Sequence, residues 1–226
     1  MRGDLEAEKK KLRELVWRRL TEAGVARFPG AYGRIPNFVG AEEAARRALE
    51  LPEVRKARVV FVNPDSPQYP LRAALLSEGK ILVLAKPGLE GEIPFLLLHP
   101  SRLRVHPLRA ATLKGAFRYG EPLRSEDLPP VDLFVTGCVA ASPRGERLGK
   151  GGGFADREYA LLLSREKIGP ETPVLTTVHE IQILPRIPQE DHDLRLTLIV
   201  TPERILRVSR ETPASCRGKE STLKYF

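Results

Sequence analysis

The sequence predicts an α/β protein, a single domain in which a largely parallel sheet is flanked by helices. Short buried-strand patterns rich in Val, Ile and Leu alternate along the chain with helical patterns, which is typical of parallel sheets covered on both faces. A length of 226 residues allows one sizeable core. The hydrophobic fraction of 42% and the charged fraction of 29% are those of a globular protein.

The first predicted element is an amphipathic helix over residues 4–22, with Asp4 as its candidate N-cap. Lys9 and Arg13 are spaced to share one face of this helix. Two interpretations remain open: both cations point towards the body of the protein and a ligand, or their stems cover apolar surface while their charges stay in water. The neighbouring apolar stripe contains Leu5, Leu12, Val16 and Leu20.

The remaining elements follow from periodicity and from turn residues. Residues 24–40 are expected to form a loop, the apolar run at 93–98 is left unassigned, and residues 100–130 give no clear pattern. Tyr159, Leu162 and Leu163 are expected on the inner face of the last helix. In chain order, the pattern predicts a helix over 41–51, a strand over 58–62, a helix over 71–77, strands over 81–85 and 133–141, a helix over 154–167, and strands over 173–178, 196–201 and 204–208.

These elements assign residues 1–208 to one α/β domain and residues 209–226 to a basic C-terminal tail without a core pattern. No apolar run reaches membrane-spanning length and the N-terminus is too charged for a signal peptide, so we expect a cytoplasmic protein with no membrane association. The two cysteines, Cys138 and Cys216, predict neither a disulfide framework nor a metal cluster, and Cys138 is expected in the core.

A formal net charge of +8 favours anionic ligands, among them nucleotides, phosphorylated metabolites, polyglutamate tails and nucleic acid. Charge alone does not distinguish between them. No nucleic-acid-binding motif accompanies it, so nucleic acid as a partner is supported by charge only.

The stretch from Arg144 to Asp156 carries the strongest functional signal. A glycine-rich turn between a buried strand and a helix start brings backbone N–H groups together at the positive end of the helix, which suits a phosphate chain. Arg147 and Lys150 add full charges. The alternative is a flexible glycine hairpin with solvated cations, and the spacing is not that of a Walker A loop. The glycines are Gly149, Gly151, Gly152 and Gly153.

Residues 147–156 resemble the signature loop of the 5-formyltetrahydrofolate cyclo-ligase family, also called methenyltetrahydrofolate synthetases. Residues 9–13 resemble its N-terminal Lys-x-x-Leu-Arg, and residues 79–83 its second strand. His192-Asp193, followed by residues 198–201, is similar to its C-terminal motif. The resemblance covers about residues 5–208 and is closest to the methenyltetrahydrofolate-synthetase domain-containing subgroup, on residues 12–17, 34–38 and 177–179.

The resemblance implies a fold similar to the ribose-5-phosphate isomerase and CoA-transferase-like group. It also implies ATP-dependent conversion of 5-formyltetrahydrofolate to 5,10-methenyltetrahydrofolate, with ATP, Mg²⁺ and a reduced folate bound. By resemblance, Asp156 would hold Mg²⁺ and Phe154 would stack on the bound ligand. Charge around the transferred phosphoryl group would be neutralised by Arg147 and Lys150 as catalytic residues. The nucleotide would be held by Lys9, Arg13, Arg147, Gly149, Lys150, Gly151, Gly152 and Gly153.

Three departures from the family pattern lie in the part that would receive the folate or the metal. Phe154 and Ala155 stand where the family has two tyrosines. Residues 63–67 lack the family's substrate-binding glutamate, with Asp65 shifted from that position, and Thr197 replaces a second carboxylate. Whether the chain is an enzyme therefore stays open. The first interpretation is a diverged cyclo-ligase relative with weak turnover. The alternative is a non-catalytic nucleotide-binding protein, for which an association with RNA is one option.

Several other candidate residues also have a structural interpretation. Asp156 can be a helix N-cap instead of a metal ligand. His179 is expected to be structural more often than functional. Residues 190–193 are expected to form a solvated turn and not a metal site, because consecutive side chains point in different directions.

Overall fold

The structure, a computed structural model, describes residues 2–86 and 94–208. The predicted tail over 209–226, and Cys216 within it, lie outside the described residues. The helices are α1 (Arg2–Glu22), α2 (Ala41–Glu50), α3 (Pro52–Lys56), α4 (Tyr69–Ser77), α5 (Pro107–Ala110), α6 (Leu113–Tyr119) and α7 (Phe154–Ser164). The strands are β1 (Val59–Val62), β2 (Ile81–Ala85), β3 (Phe95–Leu98), β4 (Glu121–Leu123), β5 (Leu133–Val135), β6 (Ala140–Ala141), β7 (Arg147–Leu148), β8 (Val174–Thr177), β9 (Leu198–Val200) and β10 (Ile205–Arg207).

Within the described ranges, the main sheet has the order β10-β9-β8-β5-β1-β2-β3-β4. Its centre, from β9 to β2, is parallel, and β10, β3 and β4 add antiparallel edges. Strand β1 is buried along its whole length, as expected for a parallel strand covered on both faces. The largely parallel α/β sheet predicted from the sequence is confirmed.

Alternate residues of the strands supply two hydrophobic clusters, one on each face of the sheet. Val60 and Val62 face the cluster that α2 and α4 cover. Phe61 faces the other, where it stacks on Phe134 with ring centroids 4.4 Å apart. Burying these aromatic rings contributes strongly to folding, so the centre of the sheet is a rigid base for the loops at its carboxyl edge.

The sequence pattern predicted one strand over residues 133–141, but the structure divides this run. Only β5 joins the main sheet, and β6 pairs antiparallel with β7 in a separate two-stranded ribbon. Val139 and Ala140, which follow β5, are buried because they pack with Val16 and Leu20 of α1. An apolar run signals burial, and burial against a helix gives the same signal as burial in a sheet.

The inner face of α7 also differs from the prediction. The helix ends at Ser164, before the predicted residue 167. Leu162 is buried and Tyr159 is partly buried, but Leu163 is 40% exposed. The buried positions of α7 are Ala155, Glu158 and Leu162. A charged residue therefore lies on the inner face of the helix, where apolar periodicity predicts only apolar residues.

Smaller corrections concern the ends and the unassigned parts. Asp4 lies inside the first turn of α1 and is not its N-cap, because the helix begins at Arg2. The unassigned run at 93–98 contains β3, and residues 100–130 hold α5, α6 and β4. Among the helices of the described ranges, none has the length and apolar character needed to cross a bilayer.

Candidate functional site

Two cavities lie on either side of the glycine loop, residues 149–153. The first cavity, of about 360 Å³, is lined by residues that follow the carboxyl ends of three parallel strands: Asn63 after β1, Lys86 after β2 and Gly137 after β5. Ligands of parallel α/β sheets bind at this edge. The second cavity, of about 370 Å³, lies between the loop and α1. The two cavities share Arg147, Gly149, Gly153 and Asp156.

Lys9 and Arg13 of α1 line the second cavity and are only 6% and 8% exposed. Arg13 Nε donates to the carbonyl of Gly149 at 2.9 Å, which ties α1 to the glycine loop. Lys9 Nζ lies 2.6 Å from Asp193 Oδ2. The sequence left open whether these cations point inwards, and the structure places both of them in the cleft beside the loop.

The glycine loop leaves its backbone donors open. No N–H group of residues 149–153 donates a hydrogen bond to any described residue. Gly151 and Gly153 have φ values of +107° and +60°, which side chains of L-residues rarely adopt. Gly153 is the residue before α7, so the loop ends at the positive end of a helix. The arrangement can hold an anion with several oxygens.

Arg147 and Asp156 form the floor shared by the two cavities. Arg147 Nη1 donates to Asp156 Oδ1 at 3.2 Å, and the guanidinium is buried. The backbone N–H of Leu194 donates to the same Oδ1 at 3.0 Å. Asp156 is therefore not the N-cap of α7, a place taken by Gly153. No described residue donates to Oδ2, so that oxygen can coordinate a metal ion.

A buried acid in the first cavity was missed by the sequence analysis. Glu158, on the second turn of α7, is 5% exposed and accepts a 2.6 Å hydrogen bond from Asn63 Nδ2. Burial raises the pKa of Glu158 to about 7, against the lowering effect of the bond from Asn63. Burial also raises the pKa of Asp65, which lines the same cavity. Cavity acids with displaced pKa values are typical of functional sites.

Arg72 fixes the loop that carries Asn63 and Asp65. Its buried guanidinium donates to the carbonyls of Asn63 at 2.8 Å, Asp65 at 3.2 Å and Ala111 at 2.8 Å. Burial lowers the pKa of Arg72 to about 10, so the side chain stays charged near neutral pH. Arg72 thus holds the loop in place and also puts a positive charge near Asp65.

Lys150 and Phe154 line the wall of the first cavity that faces solvent. Lys150 Nζ lies 5.5 Å from the centroid of the Phe154 ring, and Arg157 lies 4.9 Å from it on α7. Both cations lie over the Phe154 ring, so a ligand at this wall would meet the ring together with their positive charge. Ala155 is buried and offers no ring for stacking.

The remaining candidates have structural surroundings. His179 caps a short 3₁₀ turn by accepting from the N–H of Ile181, packs edge-on against Phe38, and lines neither cavity. The Thr197 hydroxyl bonds to Val174 at the start of β8, opposite the carboxyl edge of the sheet. Cys138 is buried, as predicted, and burial raises its pKa to about 11.

The turn at residues 190–193 is only partly solvated, which corrects the prediction. Glu190, His192 and Asp193 bring ligand atoms within 4.8 Å of one another, and Asp193 is engaged with Lys9. Although burial opposes ionisation, the bonds from Lys9 and from the Glu190 N–H hold the pKa of Asp193 below its ordinary value. The Asp193 carboxylate of this turn thus balances the positive charge of Lys9 on α1.

Comparison with known proteins gives the family of the chain. The model of the 5-formyltetrahydrofolate cyclo-ligase family matches residues 2–202. The chain belongs to this family. A methenyltetrahydrofolate synthase domain-containing protein of Bos taurus is 37% identical over 91% of this chain and 55% of its own length. The 5-formyltetrahydrofolate cyclo-ligase of Escherichia coli K12 is 31% identical over 73% of this chain and 88% of its own length.

A solved structure of this family confirms the fold. The 5,10-methenyltetrahydrofolate synthetase of Aquifex aeolicus has a TM-score of 0.58 and 24% identity, covering 94% of this chain and 99% of its own. The chain spans only about half the length of the domain-containing relative from Bos taurus. The family match contains α1, the glycine loop and α7, so every wall of both cavities lies within it.

Proposed function

We propose that this chain binds ATP and a reduced folate and converts 5-formyltetrahydrofolate to 5,10-methenyltetrahydrofolate. The observation that carries the proposal is the row of N–H donors at 149–153, to which no described residue supplies an acceptor. The first cavity, with acidic and aromatic walls, lies on one side of this row. The second cavity, on the other side, is lined by four cations and four carboxylates, and Lys9 and Arg13 pair there with Asp193 and Glu6. Family membership supports the same reaction. The ATP phosphates would lie in the second cavity beside Lys9 and Arg13, and the folate ring in the first.

Each residue then has a definite task. Arg147 and Lys150 neutralise charge as the formyl oxygen takes the γ-phosphoryl group and ADP leaves, and the loop N–H groups orient the phosphate oxygens. N10 then attacks the activated carbon, the C–O bond breaks, and the N10 proton passes to the departing phosphate or to water. Mg²⁺, when bound, supplies the positive charge shared by the phosphates. Asp156 Oδ2 fits as its protein ligand, because no described residue donates to it.

Nucleotide binding is tested by thermal unfolding with MgATP. At a ligand concentration about 100 times its Kd, we expect a rise of roughly 5–10 °C in Tm. Lys9→Ala should weaken nucleotide affinity about ten- to a hundredfold, because it removes a cation and leaves Asp193 facing the phosphates. Lys10→Ala is the matched control, since the next side chain on α1 is exposed. No shift in the parent protein would contradict the proposal.

Turnover is tested by mixing the protein with MgATP and 5-formyltetrahydrofolate and following methenyl-folate absorbance. We expect turnover slower than the enzyme median of about 10 per second. The reason is that Ala155 cannot stack on the ring; Thr197 lies at the opposite edge of the sheet and does not bear on the site. A rate at or above that median would show that this loss is compensated.

Ala155 also favours a second candidate, a non-catalytic protein that retains the nucleotide pocket. The same two measurements separate the candidates. A thermal shift with MgATP but no methenyl-folate formation at high protein concentration favours the binding protein, whereas measurable turnover favours the enzyme.

A further inference from the structure

The buried end of the first cavity is rich in hydrogen-bond acceptors. Asn63 and Glu158 meet there, each 5% exposed, and one N–H of the Asn63 amide donates to Glu158 Oε2. Asp65 lines the same wall, and no described group donates a hydrogen bond to its carboxylate. An ionised carboxylate only accepts hydrogen bonds, so Glu158 and Asp65 give this wall more acceptors than the one N–H that the Asn63 amide has left.

Gln68 adds an acceptor behind this wall. Its Nε2 donates to Thr177, but its fully buried Oε1 has no partner among the described residues. A Cβ at Gly137 would lie 2.7 Å from this Oε1 and 2.9 Å from Asp65 Oδ2. Both oxygens therefore converge on the space above Gly137, which lines the first cavity and which the missing side chain leaves open.

The solvent-facing part of the same cavity carries the opposite charge. Arg34 and Lys150 are exposed there, and Lys86 is half-buried. A ligand that fits this division has N–H donors on the part it buries and negative charge on the part it leaves near solvent. A reduced folate has this form, with amino and ring N–H groups at one end and carboxylates at the other.

We propose that Glu158 and Asp65 hold the reduced-folate ring in this chain by accepting hydrogen bonds from its N–H groups. This inference rests on the proposed function and names residues that decide which ring the cavity takes. Glu158 comes from α7, two residues after Asp156, so one helix places both the ring contact and the candidate metal ligand. Asn63, at the end of β1, orients the Glu158 carboxyl group through their 2.6 Å bond.

The test is calorimetric titration with 5-formyltetrahydrofolate, with the parent and all variants at the same pH. Glu158→Gln keeps the shape and the bond from Asn63 but removes the negative charge, and should weaken folate binding about ten- to a hundredfold. Glu158→Asp keeps the charge and should recover part of the loss. Glu78→Gln, an exposed site at the end of α4, is the matched control and should leave affinity unchanged.

ADP affinity, measured on the same variants, separates a ring contact from a structural role. We expect Glu158→Gln to bind ADP as the parent does. Gly137→Ala and Asp65→Asn should each weaken folate binding and spare ADP, because they alter only the first cavity.

Three outcomes would overturn the inference. If the parent binds 5-formyltetrahydrofolate and Glu158→Gln binds it equally well, the residue assignment fails while the proposed function stands. If Glu158→Gln loses folate and ADP together, Glu158 acts through the fold. If the parent binds ADP but no 5-formyltetrahydrofolate, the proposed function fails, and the inference fails with it.

Discussion

Asp156→Asn is expected to lower the rate of methenyl-folate formation about 100- to 1,000-fold, the usual cost of losing one preorganised electrostatic group. Asp156 is the one carboxylate of the described residues that lines both cavities. A metal ion held by Asp156 would therefore be within reach of ligands in both cavities. Asparagine keeps the bonds from Arg147 and Leu194 but removes the charge that a divalent cation requires.

This prediction is measured in single-turnover reactions with protein in excess, so that a slow parent rate still leaves room for a decrease. The Mg²⁺ concentration needed for half the maximal rate should rise in the variant. Asp127→Asn is the control, because it removes the same charge from an exposed loop. A variant with the parent's rate and the parent's Mg²⁺ requirement would remove Asp156 from the metal site.

The sequence was sufficient for features that depend on local spacing. The i, i+4 interval of Lys9 and Arg13 fixed them on one helical face, and the structure turns that face towards the glycine loop. The glycines marked the turn before α7 because positive φ and open N–H groups leave a compositional signature. Alternating strands and helices likewise predicted the parallel sheet.

Features that depend on distant partners were not predictable in this way. Glu158 was missed because a buried glutamate is disfavoured unless it is paired, and its partner Asn63 is 95 residues away. The pairing of Asp193 with Lys9 spans 184 residues, so the turn at 190–193 was taken for a solvated one. Strand β6 was predicted as part of the same strand as β5, because packing against α1 cannot be distinguished from packing in a sheet by the apolar pattern.

The missed glutamate also leads to the largest expected effect on stability. Glu158 has a folded pKa near 7 and an ordinary value of 4.5, so the folded chain holds this proton over a pH range in which the unfolded chain has lost it. Stability falls with rising pH wherever the folded state binds more protons. The contribution of Glu158 should therefore be near zero below about pH 4.5, become destabilising as pH rises to 7, and level off above it.

Replacing Glu158 with glutamine removes this penalty, since glutamine does not ionise and can still accept from Asn63. In metal-free buffer with a chelator, we expect the variant to match the parent at pH 5 to within about 1 kcal/mol. At pH 8 it should exceed the parent by on the order of 3 kcal/mol in free energy of unfolding, which for a chain of this size is roughly 6–12 °C in Tm. The difference between the two proteins cancels the titration of groups that do not interact with Glu158, and Asp65 is a nearby acid that does interact with it.

The comparison is made by thermal and urea unfolding at pH 5, 6, 7 and 8, and the diagnostic feature is the slope of the difference with pH. A constant difference would mean that Glu158 does not titrate in this range, and a variant less stable than the parent at pH 8 would mean that its carboxylate stabilises the fold. A gain in stability together with the loss of folate affinity is the result that a functional acid predicts. Evolution keeps a destabilising charge in a cavity when a ligand requires it, and the cost of burying Glu158 is then offset only when N–H donors of the ligand reach the carboxylate.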